Sequence, residues 1–202
     1  MTYKAIGFDW GGVINGKPGK YFSIGIAEIL GTREQAFKDA YFSHNKAFNR
    51  GDINLDELWN RVLGDLGKVD KTDEVMAFLR ETHKISVNHN VMNLVDTLKL
   101  NGYKVGLLSN NTTEGGNEIR ALGLDKHFDV FHISADTGDV KPEPSSFTNF
   151  AAALGIEPTE LIFIDDTPKS LETSVSVGFA PILYESYDQC INDLESLGIN
   201  VS

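Results

Sequence analysis

Six side chains able to do chemistry stand behind apolar runs in this sequence. Asp9 follows Lys4–Phe8, and Ser109 and Asn110 follow Lys104–Leu108. Lys141 comes one loop after Val130–Ile133, and Asp165 and Asp166 follow Leu161–Ile164. Three carboxylates brought close repel one another and raise each other's pKa unless cations sit among them. Lys141 is one such cation. A hard divalent ion is the natural second, since Mg²⁺ takes one or two carboxylates together with water and phosphate oxygens. Ser109 and the neighbouring backbone N–H groups are donors for phosphate oxygens. A carboxylate nucleophile, a metal, a cation and donors for the equatorial oxygens add up to a phosphoryl-transfer site.

Such a site needs elements that bring these positions to one edge. The four runs, with Ala180–Tyr184 as a fifth, are short and continuously apolar, as in parallel strands covered on both faces. Helical patterns separate them. Val91, Leu94, Val95 and Leu98 form a stripe that ends at Gly102, and Ser146–Leu154 reads as a crossover helix closed by Gly155. The alternation predicts an α/β fold with a doubly wound parallel sheet. Ligands in such sheets bind at the carboxyl ends of the strands, where all six residues fall.

The rhythm breaks between the first two strands, where the intervening stretch far exceeds one crossover. It reads as helices. Thr32 and Gln35 fit a capping box ahead of Phe37, Ala40, Tyr41 and Phe48, and Gly51 ends that run. Asn54 and Glu57 fit a second start, before Leu55, Leu58, Trp59, Val62 and Leu66. Thr72 is placed to cap a third, with Val75, Phe78 and Leu79 behind it. The expected organisation is a core of residues 1–15 and 86–202 with an inserted helical module of residues 16–85. Gly16, Pro18 and Gly19 on one side and Ser86–Asn90 on the other are candidate hinges.

The formal net charge of −11 disfavours nucleic acid and anionic membrane surfaces, and no basic patch offsets it. No apolar run is long enough to span a bilayer, and Cys190 is the only cysteine, so no internal disulfide forms. The expectation is a soluble, cytoplasmic protein whose partner is a small molecule.

FDWGGV, LLSNN, VKPEP and FIDD, in that order, resemble the four motifs of the haloacid dehalogenase-like (HAD) hydrolase superfamily. The inserted helices resemble the C1 cap of its subfamily I. The glycine-containing first motif and the GDINLDELW stretch are similar to the group of bacterial glucose-1-phosphate phosphatases and the N-terminal phosphatase domain of soluble epoxide hydrolase. The resemblance implies a Rossmannoid core and Mg²⁺-dependent hydrolysis of a small phosphorylated metabolite. It implies Asp9 as the nucleophile, carrying an aspartyl-phosphate. Mg²⁺ would be held by Asp9, the carbonyl of Gly11, and Asp165 or Asp166. Ser109, Asn110 and Lys141 would bind the phosphoryl group, with Ser109 and Lys141 also serving catalysis.

One position departs from the family pattern. Most family phosphatases and mutases carry a second aspartate two residues after the nucleophile, as general acid and base; here it is Gly11. Such catalysis is worth about 10²–10⁴-fold. The departure weakens a mutase reading most and leaves a phosphatase reading open, with His44 and His83 as alternative proton sources by residue type. A haloacid dehalogenase needs no leaving-group proton, but it gives the paired acids at 165 and 166 no purpose. A non-catalytic phosphate binder is the third reading. Plainer roles stand beside the chemical ones: Ser109–Asn110 as a turn, Lys141 as a loop lysine, Asp165 and Asp166 as helix caps. Phe37, Tyr41 and Trp59 read as packing, His127 and His132 as structural, and Cys190 as inert.

Overall fold

The computed structural model describes residues 2–16, 22–82 and 85–202. Pro18, Gly19 and His83 lie outside them. Five strands form one sheet: β1 (Ala5–Phe8), β2 (Lys104–Ser109), β3 (Val130–Ile133), β4 (Leu161–Asp165) and β5 (Ala180–Leu183). Their order is β3-β2-β1-β4-β5, and every neighbouring pair is parallel. Ser109 and Asp165 thus close their strands instead of following them.

Both faces of the sheet are covered, which explains the unbroken apolar runs. Ile6, Phe8, Val105, Leu107, Ile162 and Ile164 pack with α5 (His89–Leu100), and α10 (Tyr187–Ser196) adds Cys190 and Leu194 to the same cluster. The alternate residues Ala5, Leu108, Leu161 and Phe163 meet Phe147, Phe150 and Leu154 on the other face. Those three belong to α8 (Pro144–Leu154), which starts two residues earlier than predicted because Pro144 suits the first turn. Gly7 and Gly106 leave the room that the Phe150 and Phe163 rings occupy; a Cβ at Gly7 would lie 2.6 Å from the Phe163 ring.

Between β1 and α5 the described residues form four α-helices: α1 (Phe22–Leu30), α2 (Glu34–Arg50), α3 (Leu55–Asp65) and α4 (Thr72–Thr82). They bury a cluster of their own around Phe37, Leu58, Trp59, Val62 and Val75. Phe37 stacks on Trp59 with ring centroids 6.1 Å apart. Asn54 caps α3 as expected, accepting from the Glu57 N–H at 2.9 Å. Two expected caps differ. Helix α2 begins at Glu34 behind Arg33, which makes no side-chain cap bond, and the Thr32 N–H instead closes α1 by bonding to Ala27. Thr72 is already inside α4, because a 3₁₀ turn at Val69–Lys71 runs into the helix; its hydroxyl donates to the Val69 carbonyl. Helix α1 itself carries no cap signal and is apolar on most sides, so it escapes a periodicity search.

The ends of the inserted stretch are tied together. Asn15 pairs with Val87, the Gly16 N–H bonds to Ser86 at 2.9 Å, and the Asn88 N–H bonds to Ile14 at 2.8 Å. The remaining helices are α6 (Thr113–Ala121) and the single turns α7 (Ser134–Thr137) and α9 (Ser174–Val177).

Candidate functional site

The chain winds outward from β1 to β2 and β3, then crosses back to β4 on the other side of β1. That reversal opens a crevice at the carboxyl end of β1. Phe8 is in register with Leu107 on one side and Ile164 on the other, and the Asp9 N–H bonds to the Ile164 carbonyl at 2.9 Å. Asp9 and Asp165 therefore emerge side by side, with Ser109 closing the strand across from them.

Lys141 arrives from the loop after α7. Its ammonium lies 2.8 Å from Asp9 Oδ1 and 2.5 Å from Asp165 Oδ2, and 5.0 Å from the centre of the Phe163 ring. The lysine is 4% exposed and Asp165 fully buried. Asn110 explains how the loop is held: its amide donates to the Lys141 carbonyl and accepts from the Lys141 N–H, both at 2.8 Å. The Asn110 side chain is thus committed to positioning the lysine. Burial works against the Lys141 charge, but Asp9 and Asp165 outweigh it and hold its pKa above the usual lysine value. Burial also pushes Asp9 up to about 7, against the pull of Lys141, and the nearby Asp165 adds to the rise.

Asp166 completes the acid group. Carboxylate oxygens of Asp9, Asp165 and Asp166 lie within 4.8 Å of one another. Three carboxylates against one ammonium leave an excess of negative charge, and the donors are all hard oxygens, which fits Mg²⁺. Asp165 has both oxygens occupied, one by Lys141 and the other by the Thr167 N–H at 2.8 Å. Asp166 packs against Gly12, where a Cβ would collide with its carboxylate.

The two glycines after the nucleophile position are not equivalent. Gly12 has φ 74°, a left-handed backbone that favours glycine, and Asp166 fills the space beside it. Gly11 is outside the left-handed region, and a Cβ there meets nothing within 4 Å. Glycine is therefore required at Gly12 and not at Gly11. The turn itself is closed by the Trp10 carbonyl, which accepts from the N–H groups of Ile14 and Asn15.

His44 is engaged elsewhere, bonded to Asp65 of α3 at 2.8 Å. His127 pairs with Asp96, His132 packs edge-on against Phe150, and Cys190 is buried. Ser134 and Glu143 escape sequence reading, because their contacts join loops or helices far apart along the chain; Thr167 escapes it because it acts on Asp165 through its backbone N–H, which its residue type does not signal. Glu143 lies inside the VKPEP motif, the one signal that draws notice to it.

A family model described as haloacid dehalogenase-like hydrolase matches residues 3–178. Flavin mononucleotide hydrolase 1 of Arabidopsis thaliana is 26% identical over 157 residues, covering 77% of this chain and 62% of the plant protein. A phosphatase of Mycobacterium tuberculosis is 31% identical over 103 residues, or 48% of each chain. The chain thus spans less than two thirds of the length of each of these two relatives. Among solved structures, a HAD-like family hydrolase of Porphyromonas gingivalis superposes with TM-score 0.72 at 24% identity, covering 99% of this chain and 100% of that one. A HAD family enzyme of Bacteroides thetaiotaomicron, crystallised with magnesium and inorganic phosphate, does so with TM-score 0.69 at 21% identity, covering 93% and 98%.

Proposed function

We propose that this chain, which belongs to the haloacid dehalogenase-like hydrolase family, is a phosphatase that hydrolyses a small phosphorylated metabolite through a phosphoryl group carried on Asp9. The observation that carries this reading is the Lys141 ammonium seated between Asp9 and Asp165 at the carboxyl edge of the sheet.

Lys141 holds Asp9 Oδ1, which orients the carboxylate and leaves Oδ2 to attack phosphorus. The new bond joins Oδ2 to phosphorus as the bond to the substrate oxygen breaks. Ser109 and the Asn110 N–H hold the equatorial oxygens, the Asn111 N–H being given to the Ser134 hydroxyl, and Lys141 offsets their charge. Water then attacks phosphorus, phosphate leaves, and the Asp9 carboxylate is restored. Mg²⁺, when bound, would supply a Lewis acid that offsets the charge of the carboxylates and of the phosphoryl group. Asp9, Asp166 and the Gly11 carbonyl are the groups to hold it. Asp165, whose oxygens accept from Lys141 and the Thr167 N–H, fixes Lys141 beside the metal site. Gly11 supplies no proton, so the leaving oxygen takes its proton from water or from the substrate.

The helical module α1–α4 acts as the cap that covers this edge and selects the substrate. The magnesium and phosphate bound by the Bacteroides enzyme, the flavin mononucleotide hydrolase named for the Arabidopsis relative and the phosphatase named for the Mycobacterium relative support this reading. The test is a hydrolysis screen over phosphorylated metabolites, with Mg²⁺ and with chelator. Metal-dependent release of phosphate from members of the panel is expected. Undiminished activity in chelator overturns the metal assignment, and no phosphate release from any member overturns the phosphatase reading.

A further inference from the structure

The last turns of α2 rest on α7 and on the loop that carries Lys141, and two side chains pin them there. Glu143, two residues past Lys141, places Oε1 2.7 Å from Arg50 Nη2 and 2.8 Å from Lys46 Nζ; its Oε2 accepts from the same Arg50 nitrogen at 2.9 Å. The buried Ser134 hydroxyl donates to the Asn49 carbonyl of α2. Between these contacts the backbones come close: a Cβ at Gly51, the residue that caps α2, would lie 3.1 Å from the Ala135 carbonyl oxygen. At about 100° per residue, Lys46, Asn49 and Arg50 share one face of α2, while His44, turned to Asp65, lies on another.

The two tethers differ in kind. Ser134 has one proton and two carbonyls in reach, that of Asn49 across the gap and that of Asn111 in the core, 3.1 Å away. When α2 lifts, the hydroxyl turns to Asn111, and no buried donor is orphaned. The neutral tether therefore barely biases the module toward the seated position. Glu143 has no such substitute: lifting α2 separates one carboxylate from two cations at once.

We propose that Glu143 is a positioning residue, whose hold on Arg50 and Lys46 keeps the helical module seated over the acid–lysine cluster. The link to turnover rests on the cap reading above; the contact itself does not. A seated module is the binding-competent state, and the apparent affinity for substrate falls by the fraction of molecules in which it is unseated.

The test uses Glu143→Gln, which keeps the backbone bonds from Glu143 to Val140 and from Ser146 to Glu143. It is compared with Glu143→Arg and with Glu143→Arg combined with Arg50→Glu. Hydrogen–deuterium exchange of the full chain, measured without substrate, is expected to quicken at 45–52 and 134–138 in both single variants, while β1 and α10 stay unchanged. The double variant is expected to restore protection, because a carboxylate again stands between two cations. With a hydrolysed substrate, KM is expected to rise about fivefold in Glu143→Gln with kcat within about twofold. Unchanged exchange in both single variants, or no rescue by the charge swap, overturns the proposal whether or not the chain hydrolyses phosphate. If Glu143→Arg does not fold, wild-type exchange in Glu143→Gln overturns it alone.

Discussion

The Asp166 carboxylate occupies the space that a side chain at Gly12 would need. One residue earlier, at Gly11, that space is open. The turn after β1 therefore demands glycine once, and the demand comes from a backbone at φ 74° pressed against an acid of the site.

Gly12→Ala is expected to cost about 2–4 kcal/mol, from the left-handed backbone and the collision together. That corresponds to a loss of roughly 10 °C in melting temperature for a chain of this length. Gly11→Ala is expected to stay within about 0.5 kcal/mol of wild type. Calorimetry on the two variants checks the contrast, and equal losses would show that the turn has been misread.

The open space at Gly11 also makes it a usable place to restore an acid. If the leaving group departs with little protonation, rates on wild type fall steeply from aryl to alkyl phosphates. Gly11→Asp is expected to flatten that slope, gaining at most about 10²-fold on alkyl phosphates. Gly11→Asn is the control for bulk. Aryl and alkyl phosphates hydrolysed equally fast by wild type would mean that another group already supplies the proton.

How much of this was legible in the sequence follows from what each residue answers to. Asp9, Ser109, Lys141, Asp165 and Asp166 could be placed because strand ends are marked by apolar runs, and a parallel sheet sends all those ends one way. Asn54 could be read as a cap because its partner is three residues away. Glu143 and Arg50 are 93 residues apart, and nothing local to either forecasts their meeting. Which glycine of the pair takes the positive φ and meets Asp166 depends on the folded turn, which the pair itself does not encode. Asn110 looked like a phosphate ligand, yet its amide is spent on the backbone of Lys141.

Without metal, the raised pKa of Asp9 gives a pH signature. Burial lifts it from 3.8 to about 7 in the folded protein. A group raised on folding favours the native state below its unfolded pKa, and that contribution is lost as pH rises through the folded value. In chelator, the stability of wild type relative to Asp9→Asn is therefore expected to fall between about pH 4 and pH 7. Added Mg²⁺ is expected to reduce the fall. Parallel melting curves of the two proteins across this range would contradict the assignment.

Burial pushes the Cys190 thiol up to about 12. The thiolate is the reactive form, so a disulfide reagent is expected to leave the native protein nearly untouched at pH 8 and to label one thiol after denaturation. Rapid labelling of the native chain would show that α10 opens readily from the sheet.

The central claim is that Asp9 is the attacking carboxylate, and the most direct measurement of it is the rate of aryl phosphate hydrolysis by Asp9→Asn in saturating Mg²⁺. The variant removes one charge from a repelling group of acids, so it is expected to fold and to melt no lower than wild type at pH 8. Its turnover is expected to be lost, by about 10⁴-fold or more, as when a catalytic-triad member is removed from a serine protease. Hydrolysis by the folded variant within tenfold of wild type would contradict the account, because the group that attacks phosphorus would then lie elsewhere.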